Sequence, residues 1–197
     1  MKNQIIFFVI CSISISSIAD AQKVNVSKLR AKKVDTLIIE LDFLSFSEVM
    51  DSAKFAFVDE SINADDFSSK ATGSSRKDTV LVIYFGRIMS SKSVIAKMSY
   101  AGIYPGTSNP LFVVGAQYPE LQKKYPIVAL GSVDETKMLP VLEYNSRITN
   151  EEEAKTMDER DVILVAWDGQ WAAEARFIAL LNKPAKYFTV DIVKAKL

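Results

Sequence analysis

Residues 79–85 read TVLVIYF, and this stretch decides the predicted fold class. Its apolar run is continuous and rich in β-branched residues, which is typical of a strand in a parallel sheet covered on both faces. A helical pattern follows it, with Val94 and Met98 on one face and Gly102 as the C-terminal stop. The segment therefore predicts a strand–loop–helix unit of an α/β protein.

The same alternation extends along the chain in both directions. Further strands are predicted at residues 35–42, 111–115, 127–131, 161–167 and 186–193. Further helices are predicted to start at Ser45 (a capping box with Glu48), at Pro119, at Asn150 and at Asp168. Alternating strands and helices predict a mainly parallel sheet with helices on both faces, in three layers. We expect residues 34–197 to form a single α/β domain.

The first 21 residues have the pattern of a secretory signal peptide. Lys2 supplies a positive charge, an apolar run follows, and Ala19-Asp20-Ala21 has the small-x-small form of a cleavage site. The alternative is a transmembrane anchor, but the run is short and rich in serine for a span of roughly 20 residues. The sequence therefore predicts a secreted or periplasmic protein with no membrane span after cleavage.

Composition then restricts the chemistry. The only cysteine, Cys11, lies in the predicted signal peptide, and the chain contains no histidine. Nucleophile systems that need an imidazole base, zinc sites and haem or iron–sulfur ligation all depend on these two residue types. We therefore expect no cofactor and no transition metal, and the remaining options are carboxylate, Lys, Ser or Arg chemistry and plain binding.

Charge gives a second restriction. The chain has 24 Lys and Arg residues against 24 Asp and Glu residues, and this zero balance argues against a general nucleic-acid binder. Residues 22–33 carry five basic and no acidic residues. They predict a solvated basic arm ahead of the domain, with a weak role at an anionic surface as the alternative.

The segment 80–102 (VLVIYFGRIMSSKSVIAKMSYAG) resembles the core of rhodanese-like domains, a Rossmann-like three-layer architecture. In that resemblance LFVVG at 111–115 is the next strand, and the similarity covers roughly residues 34–126. A weaker echo at 139–193 implies a partial second copy, with a sub-boundary near 126–134. The position of the family's cysteine nucleophile holds Phe85, and in the echo it holds Trp167. The resemblance therefore implies a member that cannot carry a persulfide.

The loop after this strand is the candidate binding site. A helix N-terminus following a strand presents backbone N–H groups that favour an anion. The side chains expected to crowd this point are Gly86, Arg87, Ser90, Ser91, Lys92 and Ser93. Ordinary helix capping by Ser90 or Ser91, with solvated basic residues, is the alternative. The same stretch also differs by one residue from a phosphate-binding P-loop, which needs glycine at Ser91.

Acidic residues give the rival hypothesis. Asp42 and Asp168 follow predicted strands, where ligands bind in open α/β sheets, and could form an acid/base pair in a hydrolase, with or without Mg²⁺ or Ca²⁺. Asp59, Glu60, Asp65 and Asp66 lie in a polar stretch without EF-hand spacing, so no metal site is predicted there.

The preferred hypothesis is therefore a secreted or periplasmic, non-catalytic, rhodanese-like α/β protein. It is expected to bind a small anion or a protein partner.

Overall fold

The structure is a computed structural model that describes residues 24–41, 45–63, 76–133, 137–146 and 159–182. The strands are β1 Lys33–Leu41, β2 Phe57–Val58, β3 Arg76–Tyr84, β4 Met89–Ser90, β5 Tyr104–Pro105, β6 Ile127–Val128, β7 Met138–Tyr144, β8 Arg160–Ala166, β9 Gln170–Trp171 and β10 Arg176–Leu180. The helices are a 3₁₀ helix at Val26–Leu29, α1 Phe46–Ala53, α2 Ser91–Ala101, α3 Ser108–Gln117 and α4 Pro119–Gln122. The chain is thus a mixed α/β protein, as the sequence predicts at this coarse level.

Most of the strands form one sheet in the order β1-β3-β10-β6-β7-β8-β2, with β5 added alongside β10. The pairs β10–β6 and β2–β8 are parallel, while the long pairs β1–β3, β10–β3 and β7–β8 are antiparallel. The sheet is therefore mixed, and the finer prediction of mainly parallel pairing is corrected. β7 and β8 are consecutive described strands that pair directly with each other, and β3 pairs with β1 although α1 and β2 lie between them in the chain.

Several local predictions are confirmed by the structure. Strands β1, β3 and β8 lie where the apolar runs predict them. Ser45 and Glu48 form the reciprocal capping box that starts α1, and Gly102 ends α2 in the left-handed conformation with φ +76°. Pro119 opens the short helix α4. These signals are local, so they do not depend on which strands pair.

The strand predicted at 111–115 is wrong, because LFVVG lies inside helix α3. All five of its residues are buried, so the run shows no amphipathic period and is as compatible with a buried helix as with a strand. Gly115 permits a close approach here: a Cβ on this residue would lie 2.7 Å from Phe55 Cζ. The segment that supplied the next strand in the rhodanese-like resemblance is therefore a helix.

The helix predicted from Asp168 is also wrong. Asp168 lies in the turn after β8, and the chain continues as β9 and β10. Every residue of β10 is buried, because this strand lies between β3 and β6 in the middle of the sheet. Trp171 lies in β9 and Ile178 in β10, so apolar residues that share a helical spacing belong to two successive strands.

Two apolar clusters draw on alternate residues of the central strands. Leu81 and Ile83 of β3 belong to a first cluster, which also contains Val94 and Met98 of α2. Val80 and Val82 of the same strand belong to a second cluster with residues of α1 and α3. Adjacent side chains of a strand point to opposite faces, which accounts for this division.

Residues 24–33 do not extend into solvent as an arm, and that expectation is corrected. The 3₁₀ helix places Leu29 at 0% exposure in the first cluster, and Asn25 N donates to the backbone oxygen of Ala101 at 3.1 Å. The basic stretch therefore packs along α2. The predicted signal peptide at 1–21, the helix from Asn150 and the strand at 186–193 lie outside the described residues.

Candidate functional site

The loop after β3 begins with a core residue. Phe85, at the position of the rhodanese nucleophile in the resemblance, is buried, with its ring centroid 5.9 Å from that of Phe177. Gly86 follows with φ +68°, and a Cβ there would lie 2.9 Å from Lys32 Cδ. Glycine is favoured at this turn because the left-handed conformation strains most other residues and because Lys32 would have to shift to make room for a Cβ.

Two serines at the start of α2 bind each other. Ser90 Oγ accepts a hydrogen bond from Ser93 N at 3.3 Å and donates to Ser93 Oγ at 2.9 Å. This is N-terminal capping of the helix, the alternative that the sequence left open for this pair. The Ser90 hydroxyl is thereby engaged at the first turn rather than offered to a ligand.

Ser91 lies in the interior. Its hydroxyl donates to the backbone oxygen of Trp167 and accepts from Trp171 Nε1 at 2.8 Å. The pairing of β4 with β9 brings these residues together, with Met89 opposite Trp171. Ser91 therefore joins the loop to the segment after β8 and takes no part in an anion site.

Arg87 and Lys92, the basic residues of the predicted loop, are exposed. Lys97, on α2, has a pKa below its ordinary value because of partial desolvation and because Arg87 and Arg30 repel its charge. The basic side chains of this region thus lie close enough to interact, although the six predicted residues do not converge on one point.

The structure describes only some of the acidic candidates. Asp168 is exposed in the turn after β8, and Asp42 lies outside the described residues, so the proposed acid/base pair stays a prediction. Asp59 Oδ1 accepts from Ser61 N at 2.9 Å within a turn. Glu60 is exposed in the same turn, and Asp65 and Asp66 also lie outside the described part of the chain. Within the described ranges no group of three or more acidic, Cys or His side chains is placed to hold a metal ion.

A carboxylate pair that the sequence did not single out lies at the β7–β8 pairing. Glu143 is the cross-strand partner of Asp161, which is fully buried and accepts from Ser146 N and Oγ through Oδ2. Burial, and then the Asp161 charge, raise the pKa of Glu143 above its ordinary value. Gln122 Nε2 donates to the backbone oxygens of both acidic residues, at 2.6 Å and 2.7 Å. The arrangement is held together by backbone contacts, and it makes the stability of the fold sensitive to pH.

The most unusual charged group of the described residues is Arg176, at the start of β10. Only 9% of this residue is exposed, and its guanidinium lies between two tyrosine rings. The guanidinium carbon is 3.5 Å from the ring centroid of Tyr84 and 3.8 Å from that of Tyr125. We name these three residues the arginine–tyrosine site.

The sheet order builds this site. Arg176 pairs with Tyr84 at the end of β3, and its backbone N–H donates to the oxygen of Pro126 at 2.9 Å. Tyr125 precedes that proline, so the parallel pairing of β10 with β6 delivers the second ring. Lys32 adds a further positive charge nearby, with Nζ 5.6 Å from the Tyr84 ring centroid.

The hydrogen bonds of Arg176 leave part of its guanidinium available. Nη1 donates to the backbone oxygen of Glu174 and, at 3.5 Å, to that of Ala175. Among the described residues, no acceptor binds Nε or Nη2 of Arg176, and no acidic side chain forms an ion pair with it. Nε and Nη2 also retain some contact with solvent. Nε and Nη2 of Arg176 can therefore donate hydrogen bonds to a ligand.

Arg160 provides the contrast within the same protein. Its Nη1 donates to the oxygen of Gly115 at 2.9 Å, and its Nη2 donates to the oxygens of Ala53 and Lys54. Its guanidinium also lies over one ring, 5.6 Å from the centroid of Phe55. Both terminal nitrogens of Arg160 are therefore used to join α1, α3 and β8, which is the pattern of a structural arginine.

Comparison with protein-family models, with curated proteins and with solved structures gives no match for the chain. In the part of the chain that the structure describes, none of the helices has the length and apolar character needed to cross a membrane.

Proposed function

We propose that this protein is a non-catalytic binding protein that takes a small anion at the arginine–tyrosine site. The observation that carries the proposal is the guanidinium of Arg176, which lies between Tyr84 and Tyr125 and has Nε and Nη2 without an acceptor among the described residues. The ligand class is an oxyanion: a carboxylate, a phosphate or a sulfate group.

The physical basis is the cost of burying an unpaired charge. A guanidinium that leaves water is stabilised only in part by cation–π contacts, which contribute about 2 kcal/mol when desolvated. Adjacent N–H groups of arginine form a planar fork that matches the two oxygens of an oxyanion. The tyrosine rings hold this fork in one plane, so little side-chain entropy remains to be lost when an anion binds. Lys32, which is exposed beside Tyr84, adds long-range attraction for an anion.

Composition supports the absence of catalysis by the common nucleophile systems. Beyond residue 21 the chain holds neither histidine nor cysteine, and Phe85 occupies the place of the cysteine in the rhodanese-like resemblance. The signal-peptide pattern of residues 1–21 supports a secreted or periplasmic location. We also propose a three-layer arrangement, which the division of β3 side chains between two apolar clusters supports. The proposal does not depend on the rhodanese-like resemblance.

A thermal-unfolding screen with sulfate, phosphate and acetate tests the proposal. A ligand at one hundred times its Kd stabilises the fold by about 2.7 kcal/mol, which raises Tm by roughly 5–10 °C for a domain of this size. We expect that rise in the unaltered chain and its loss in Arg176→Lys, which keeps the charge but not the fork.

Arg160→Lys is the matched control. It removes another partly buried arginine, so it lowers the starting Tm, but it should keep the rise that the anion produces. An equal rise in Arg176→Lys and in the unaltered chain would remove the arginine–tyrosine site from the account.

A further inference from the structure

Two stretches of the chain contain no acidic residue, and the fold packs them together. No Asp or Glu occurs in residues 22–34 or in residues 79–119. The first stretch contains the 3₁₀ helix and the second contains α2. They are joined by the backbone hydrogen bond from Asn25 to Ala101, and both Leu29 and Met98 belong to the first apolar cluster. A protein with zero net charge thus concentrates positive charge on one side.

Basic side chains cover this surface. Lys28 and Arg30 on or beside the 3₁₀ helix are exposed, as are Arg87 and Lys92 at the start of α2. Lys97 lies in the middle of the same helix, and desolvation, followed by the charges of Arg87 and Arg30, lowers its pKa. We name the surface formed by the 3₁₀ helix, the loop 86–90 and the exposed flank of α2 the basic face.

The basic face also carries exposed apolar side chains. Four large hydrophobic residues are exposed among those described, and three of them lie here: Val26, Ile88 and Tyr100. Ile88 is 65% exposed before α2, and Tyr100 is 69% exposed in the last turn of that helix. Lys28 Nζ lies 4.8 Å from the Tyr100 ring centroid, so charge and aromatic surface are adjacent.

We propose that the basic face binds the surface of an anionic lipid bilayer. Basic residues near such a surface are attracted to its headgroups, and each contributes about 1 kcal/mol. Tyrosine and isoleucine that protrude between lysines and arginines can enter the headgroup region while the charged groups remain at the phosphates. The bilayer surface must therefore be negatively charged. The apolar side chains should provide a part of the binding free energy that persists at high salt.

An acidic protein is the competing occupant, and the spacing of the apolar residues disfavours it. Protein interfaces have a contiguous core of buried apolar and aromatic side chains inside a polar rim. Here Ile88 precedes α2 and Tyr100 lies in its last turn, with Lys92 and Lys97 between them in the chain. A bilayer accepts such separate side chains because lipids rearrange around each one. This proposal rests on a different set of residues from the arginine–tyrosine site, so either can fail alone.

Vesicle sedimentation tests the proposal with the purified full chain. Vesicles of phosphatidylcholine alone are compared with vesicles that also contain phosphatidylglycerol, at low and at high salt. We expect binding only to the anionic vesicles, weakened by salt. Residues 1–21 are the same in every variant, so each variant is compared with the unaltered chain on the same vesicles.

The decisive variant is Lys28→Glu combined with Lys97→Glu. Loss of each positive charge should lower the partition coefficient about fivefold, so the double reversal should lower it at least about twenty-five-fold. Lys54→Glu with Lys124→Glu makes the same change in net charge at exposed positions outside the basic face and should leave binding unchanged. Ile88→Ser with Tyr100→Ser should reduce the binding that persists at high salt.

Three results would overturn the proposal. Equal binding to neutral and anionic vesicles would show that charge does not direct the contact, and equal loss in the two double reversals would show that the basic face is not its location. Binding to polyglutamate without binding to anionic vesicles would assign the face to an acidic protein. Circular dichroism verifies that each variant is folded. If a variant does not fold, the salt titration of the unaltered chain tests the proposal, because binding to anionic vesicles that salt does not weaken would contradict it.

Discussion

The hydroxyl of Ser91 connects the start of α2 to Trp167, after β8, and to Trp171, in β9. Removing this hydroxyl tests whether these hydrogen bonds stabilise the fold. In Ser91→Ala, the indole N–H of Trp171 loses its acceptor inside the protein and the oxygen of Trp167 loses a donor. A buried donor left without a partner costs about 1–3 kcal/mol, and the second lost hydrogen bond adds about 1 kcal/mol. We therefore expect the free energy of unfolding to fall by about 2–4 kcal/mol.

Urea unfolding followed by circular dichroism measures this change. Ser93→Ala is the matched control, because Ser93 is exposed and its hydroxyl contacts only Ser90; it should change stability by about 0.5 kcal/mol or less. In a double-mutant cycle with Trp171→Phe, the two changes should be non-additive by about 1–2 kcal/mol. A loss below about 0.5 kcal/mol in Ser91→Ala, or strict additivity in the cycle, would refute the reasoning that this hydroxyl joins the loop to the β8–β9 turn.

Three further predictions concern other parts of the fold. Gly86→Ala should destabilise the protein by about 1–2 kcal/mol, since φ is +68° and the new Cβ would meet Lys32; thermal unfolding measures it, and an unchanged Tm would contradict the placement of this turn. Glu143 has a pKa that is raised in the folded state, so the stabilisation that its protonated form provides is present below the unfolded pKa and is lost as pH rises through the folded pKa. Glu143→Gln should therefore have a larger free energy of unfolding than the unaltered chain at neutral pH, and this difference should shrink in acid. Urea unfolding at neutral and at acidic pH measures it, and a variant that is less stable than the unaltered chain at neutral pH would contradict the prediction. Gln117 binds the backbone of Glu40 in both directions, accepting from N at 3.1 Å and donating to O at 2.9 Å, so Gln117→Ala should speed hydrogen exchange at the Glu40 amide by uncovering the edge of β1. Unaltered exchange at that amide would show that the side chain does not protect the edge.

Local signals in the sequence predict many elements and fail where burial removes periodicity. The capping box at Ser45, the left-handed stop at Gly102 and the apolar run of β3 each depend on a few neighbouring residues, and all three are confirmed. Residues 111–115 fail because a short apolar run that is buried on every side has no period to distinguish helix from strand. Residues 170–180 fail because apolar residues of two consecutive strands coincide with helical spacing.

The functional prediction depends on pairing, which the sequence does not reveal. Anion binding near residue 86 was predicted from a helix start, but the serines there cap the helix or join the core. The arginine–tyrosine site arises because β10 lies between β3 and β6, which brings Arg176 to Tyr84 and Tyr125 across long sequence separations. The local sequence signal for this site is an arginine at the start of the buried strand RFIAL, and it indicates a buried charge only if the run is a strand.

The arginine–tyrosine site as an anion receptor is the central claim, and the Nε–H resonance of Arg176 tests it most directly. A two-dimensional proton–nitrogen spectrum, assigned by the loss of one signal in Arg176→Lys, is recorded during a titration with sulfate at constant ionic strength. We expect this resonance to shift in a saturable manner, while that of Arg160, whose terminal nitrogens are bound to backbone oxygens, should not shift. An unmoved Arg176 resonance, or a shift that stays linear in sulfate for both arginines, would contradict it.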